Sequence, residues 1–83
     1  MFKNKAGEHN NICGAHIADL RKKQVPKMSQ RILAEKMQLY GIDLDKNAIQ
    51  RIESGARFVT DIELLCFSGI FGISCDELLK RQE

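Results

Sequence analysis

Five residues of this 83-residue chain have types and a spacing that could do recognition chemistry: Lys46, Asn47, Gln50, Arg51 and Ser54. At about 100° per residue they fall in one arc of a helix roughly 140° wide. Ala48, Ile49 and Ile52 lie opposite, with Glu53 at their margin. Every outward position of a helix over 46–54 is therefore a hydrogen-bonding side chain. Arg and Lys can donate to the O6 and N7 acceptors of guanine, and Asn or Gln can both donate to and accept from adenine. A helix of this kind fits the major groove of B-form DNA. Taken alone, the same arc also describes an ordinary solvated helix face.

The charge distribution leans toward an anionic partner. Residues 1–36 carry eight Lys/Arg against three Asp/Glu, residues 37–57 three against three, and residues 58–83 two against five. The net charge of +2 hides this polarity. A basic first half and an acidic last third suit an anion on one side of the molecule. Lys22, Lys23 and Lys36 equally fit a solvated face.

The arc needs a scaffold, and the helix starts announce one. An apolar residue before a cap and another five positions later form a hydrophobic staple. The pattern occurs at Met28, Ser29 and Leu33; Leu44, Asp45 and Ile49; Val59, Thr60 and Leu64; and Ile73, Ser74 and Leu78. Each middle residue has an oxygen that can accept from the unpaired amides of a first helical turn. Thr60 with Glu63 and Ser74 with Glu77 also have capping-box spacing. Gly41, Gly55 and Gly72 follow apolar-periodic runs, where a left-handed terminating residue belongs. Cys13, Ile17 and Leu20 add a periodic run before the first staple, and no hairpin signal appears. The spacing predicts an all-α unit over residues 11–83, with helices at about 11–24, 30–40, 46–54, 61–71 and 75–81, after a loose arm over residues 1–10.

Other chemistry is poorly supported. Cys13, Cys66 and Cys75 form no C-x-x-C pair, and His9 and His16 have no ligand-spaced partner, so neither a disulfide framework nor a metal site is expected. Ser29 has no base to activate it. Asp76 and Glu77 open a helix, where negative charge complements the dipole. Met28, Met37, Phe58, Phe67 and Phe71 sit at core or staple positions rather than in a cofactor box. No phosphate-cradling glycine motif is present. No enzyme, cofactor or small-molecule ligand is expected. No apolar run reaches the ~18 residues of a membrane span, and residues 1–10 lack a signal-peptide core, which makes a cytoplasmic location the expectation.

Several motifs in order resemble one family. Ser29-Gln30-x-x-Leu33-Ala34-Glu35-Lys36-Met37, followed by Ile49-x-Arg51-Ile52-Glu53-x-Gly55-x-Arg57, resembles the Cro/cI-type (lambda-repressor-like, or XRE) helix-turn-helix proteins. Gly14-x-His16-Ile17-x-x-Leu20-Arg21 before it extends the likeness, as does Leu64-Leu65-x-Phe67-Ser68-x-x-Phe71-Gly72-Ile73-Ser74-x-Asp76-Glu77-Leu78-Leu79 after it, so that it covers residues 12–80. No single dipeptide in this set is specific; the ordered set is.

The resemblance implies a compact five-helix domain that binds double-stranded DNA as a transcriptional regulator, more often a repressor than an activator. Such domains usually act as homodimers on an inverted-repeat operator. It implies that Lys46, Asn47 and Arg51 read bases, with Gln50 a secondary reader. Gln30 would bond a phosphate and brace the reading helix, and Ser54 and Arg57 would contact the DNA backbone. Lys27 and Arg31 would add nonspecific attraction. Arg21 and Glu53 would form a partly buried ion pair fixing the reading helix. The acidic, apolar C-terminal part around Phe67, Ile70 and Leu79 would supply the dimer contact.

Two departures keep another class of function open. Met37 and Ile49 enclose eleven residues, where the family commonly has about six, and Pro26-Lys27 lengthens the first connection. An extra turn through Gln38, Leu39 and Tyr40 would absorb the longer insertion, with Ile42 or Tyr40 packed beneath. Asp45 also sets a carboxylate at the helix end that would face DNA, although capping alone accounts for it. A protein-interaction module built on the same scaffold, such as an antitoxin or regulator-binding subunit, is the competing reading. The longer turn and low net charge favour it, and the polar arc favours DNA.

Overall fold

The computed structural model describes residues 9–80, in which five helices follow one another without a strand. They are α1 Gly14–Lys22, α2 Gln30–Leu39, α3 Lys46–Ser54, α4 Asp61–Phe71 and α5 Cys75–Leu79. The chain is all-α over these residues. Residues 1–8 of the predicted arm and the end of the predicted last helix lie outside the described residues.

The start signals act locally and so appear where the spacing predicts them. Ser29, Asp45, Thr60 and Ser74 each accept a hydrogen bond from a first-turn N–H, of Ile32, Ala48, Glu63 and Glu77 respectively. Thr60 and Glu63 complete a capping box; at Ser74 only the serine half forms. Met28 and Leu44, the apolar residues ahead of two caps, are buried at the foot of the helices they introduce.

The helix ends obey backbone chemistry. Gly41, Gly55 and Gly72 have φ of +84°, +86° and +66°. At Gly55 the Ala56 N–H reaches the Arg51 carbonyl at 2.8 Å and the Gly55 N–H reaches that of Ile52 at 3.0 Å. These two bonds reverse the chain and satisfy carbonyls that the helix leaves open. The first helix is shorter than its periodicity predicts, beginning at Gly14 and not at residue 11. Asn11 ends it from outside: its Oδ1 accepts from the Gly14 N–H at 2.8 Å.

Cys13, Ile17, Leu33, Met37, Ile49, Ile52, Phe67 and Leu78 are fully buried and join α1 through α5 in one core. Both α1 and α2 pack on α3, and α4 lies between α2 and α5. The lengthened turn between α2 and α3 is absorbed as its residues dictate. Ile42 packs against the core, Gln38 Nε2 donates to the Leu44 carbonyl, and Tyr40 remains 59% exposed. Ile42, and not Tyr40, fills the space beneath.

Two expectations about apolar residues are corrected. Phe58 is 54% exposed, so it is not core; it precedes Val59, which takes the inward position before the Thr60 cap. Phe67 is wholly buried and cannot join a dimer contact. Its position on α4 faces the packed interior.

Candidate nucleic-acid interface

The polar arc of α3 exists because its opposite face is so firmly held. Ile49 and Ile52 have no solvent exposure, which turns Lys46, Asn47, Gln50, Arg51 and Ser54 outward, all exposed. Among the described residues, the side chains of Lys46, Asn47, Gln50 and Arg51 have no hydrogen-bond or ion-pair partner. Ser54 Oγ donates to the Arg51 carbonyl at 3.1 Å and keeps its lone pairs outward. Asp45 is occupied by its cap, with Oδ1 accepting from Ala48 at 2.8 Å.

The other side of α3 is fastened at its C-terminal half. Arg21 Nε donates to Glu53 Oε2 at 2.7 Å and Nη2 to Oε1 at 3.0 Å. Gln30 Nε2, from the first turn of α2, donates to the same Oε1 at 3.0 Å. Arg21 Nη1 also reaches the Met28 carbonyl at 3.1 Å, tying the α1–α2 connection into the group. The Arg21 and Glu53 side chains are only 12% and 7% exposed. Three helices therefore meet on one carboxylate, and Gln30 has its amide directed at the protein. Half-buried Gln30 is placed as a brace, with its amide oxygen left over for any further contact.

A second fastening was not foreseen. Asn11 Nδ2 donates to the carbonyls of Ile52 at 3.0 Å and Arg57 at 2.8 Å, while its Oδ1 caps α1. Asn10 adds bonds from its N–H to Gly55 at 2.8 Å and from Nδ2 to Ala56 at 3.0 Å. The predicted arm is thus corrected at its end, where Asn10 is tied to the C-terminus of α3. Glycine is required on both sides of this junction. A Cβ on Gly14 would strike the Ile52 carbonyl oxygen, and one on Gly55 would strike the His9 ring. The contacts span 41 and 46 residues, so no local pattern could show them.

Arg57 has partners within the chain that its spacing did not predict. Its Nη1 donates to Glu63 Oε1 at 2.9 Å and to the Phe58 carbonyl at 3.0 Å, and Nη2 donates to Glu63 Oε2 at 3.1 Å. Its charge is balanced by the buried carboxylate of Glu63, and its side chain remains 28% exposed. Burial pushes the Glu63 carboxyl up, but bonds from Arg57 and Thr60 outweigh it and hold the group below its ordinary value. Bonding to Glu63 in turn raises the guanidinium, against the effect of burial.

Lys27 and Arg31 are exposed beside the start of α2, and neither is in an ion pair among the described residues. The free thiols of Cys13 and Cys66 are buried, and burial pushes both up. No three His, Cys, Asp or Glu side chains gather among the described residues. No helix of the described residues is long and apolar enough to cross a membrane. Comparison of the chain with models of known families, with curated proteins and with solved structures gives no match.

Proposed function

We propose that this chain is a sequence-specific, double-stranded DNA-binding regulator of the Cro/cI helix-turn-helix type, with α3 in the major groove. The observation that carries this reading is the outward face of α3: two cations and two amides, exposed and unpartnered, on a helix whose other side is clamped. Side chains intended for a solvated surface have no need of such a seat. Base reading has that need, because bidentate contacts to base edges are geometric and tolerate little tilt of the helix.

In this reading Lys46, Asn47 and Arg51 contact base edges, with Gln50 assisting. Lys27, Arg31 and Ser54 meet the phosphate backbone. Gln30 braces, together with Arg21 and Glu53, and Arg57 is structural. The carboxylate of Asp45 is already engaged by the first turn of α3, which lessens its repulsion of an approaching phosphate. A pair of such domains on an inverted repeat places two reading helices one turn, about 34 Å, apart.

Selection from a library of genomic duplexes by the purified protein tests the proposal. Enrichment of one inverted repeat, with affinity that falls steeply with salt, is expected. Failure to retain any duplex at low salt overturns it.

A further inference from the structure

The order of side chains within the α3 arc is as specific as its composition. Lys46 and Arg51 stand at its two margins, about 140° apart around the helix, and Asn47 and Gln50 lie between them. Gln50 is about 40° from Lys46, and Asn47 about 40° from Arg51. Each side of the arc therefore has one long cation and one shorter amide, a helical turn apart. On one side the cation comes first along the helix, as Lys46 before Gln50; on the other the amide does, as Asn47 before Arg51. Along the axis the sequence is cation, amide, amide, cation. All four side chains are exposed.

We propose, resting on the placement of α3 in the major groove, that this order sets the base sequence the helix reads. The target is four consecutive base pairs, G·C at both ends and A·T at the two middle steps, with purine and pyrimidine alternating along each strand. At 1.5 Å per residue, Lys46 and Arg51 are about 7.5 Å apart along the axis. Base pairs are stacked about 3.4 Å apart, so the reach of the two long end side chains extends this span to four pairs.

A helix lying in the groove turns its two sides to the two strands. Lys46 and Arg51 then donate to O6 and N7 of guanines on opposite strands. Asn47 and Gln50 each give one donor and one acceptor to adenines, again on opposite strands. In order along α3, one strand presents guanine to Lys46 and adenine to Gln50, and the other presents adenine to Asn47 and guanine to Arg51. The two tetranucleotides that satisfy this order are 5′-GTAC-3′ and 5′-CATG-3′, one for each direction of the helix along a strand. The arc has no apolar side chain to meet a thymine methyl, so thymines enter only as partners of the adenines. Charge for the phosphates comes from Lys27 and Arg31, outside the arc.

Selection by the purified protein from duplexes with a randomised core tests this. The expected product is one of these two cores, single or repeated. Changing any one of its four base pairs should weaken wild-type binding about tenfold to a hundredfold. Arg51→Gln alters an exposed side chain and should keep the wild-type circular dichroism spectrum. It should select a core in which one outer G·C has become A·T, because an amide suits adenine, so that the core is no longer self-complementary. A wild-type core of another composition overturns the proposal while leaving major-groove binding in place, as does an Arg51→Gln core unchanged from wild type. Failure of the wild-type chain to retain any duplex removes the placement of α3 itself, and this base sequence with it.

Discussion

Arg21 holds Glu53 by two parallel bonds, Nε to Oε2 at 2.7 Å and Nη2 to Oε1 at 3.0 Å, across the junction of α1 and α3. A pair this dry has large opposing terms. Desolvation of two charges nearly cancels their attraction, so the intact pair adds little stability, whereas removing one member strands the other. Arg21→Met is therefore expected to cost about 3 kcal/mol, because Gln30 alone cannot satisfy a buried carboxylate. The double variant Arg21→Met, Glu53→Met should recover most of that loss. Urea denaturation of wild type, Arg21→Met, Glu53→Met and the double variant checks this, and a double variant as unstable as the sum of the singles would contradict it.

Asn11 is the counterpart on the backbone side. Its amide bonds two carbonyls at the end of α3 while its oxygen receives the first N–H of α1. Asn11→Ala leaves two groups without partners, the Arg57 carbonyl and the Gly14 N–H, since the Ile52 carbonyl keeps its bond from the Gly55 N–H, and a loss of about 2–3 kcal/mol is expected. Gly14→Ala should be at least as harmful, because the added Cβ meets the Ile52 carbonyl oxygen, which is backbone and cannot swing aside. Thermal melting of both variants, with Gly41→Ala measuring the cost of positive φ where nothing crowds the Cβ, separates collision from backbone preference.

Helix starts were legible because a staple and cap lie within six consecutive residues and act through contacts of their own turn. Met28, Ser29 and Leu33 need nothing from elsewhere to start α2. The outward arc of α3 was legible for a similar reason, since Ile49 and Ile52 orient the whole helix. Asn11 was not, because its partners are 41 and 46 residues away. Arg57 and Glu63 are six apart, a spacing that belongs to no helix face, and the turn through Phe58 and Val59 brings them together. That same turn points Phe58 out and Val59 in, a choice that two adjacent apolar letters do not reveal.

Acid should weaken the fold through the Arg57–Glu63 pair. Glu63 is held below its ordinary value of 4.5 in the folded chain. A group depressed in this way contributes stability above its unfolded pKa, and the contribution fades as pH falls through the folded value. In Arg57→Met the burial of Glu63 is opposed only by Thr60, so the carboxyl should take up its proton at higher pH. Urea midpoints of wild type and Arg57→Met are expected to differ most near neutrality and to converge as the pH falls below the ordinary carboxylate value of 4.5. A gap that is constant from pH 7 to 3 would show that the pair does not govern the acid response.

The α3 arc and the flanking cations should fail in different ways when altered. A side chain that reads a base edge discriminates among sequences; one that meets phosphate attracts all of them. Arg51→Ala is expected to cost about 1–3 kcal/mol on the selected duplex and much less on a scrambled one. Lys27→Ala and Arg31→Ala should weaken both duplexes alike, each lowering the slope of log affinity against log salt by about one. Gln30→Ala should also weaken both, but without changing that slope, because its amide bonds Glu53 and carries no charge to release a counterion. Fluorescence anisotropy titrations at several salt concentrations resolve all four. Equal losses on selected and scrambled duplexes from Arg51→Ala would remove base reading from α3, leaving a helix that merely presents charge.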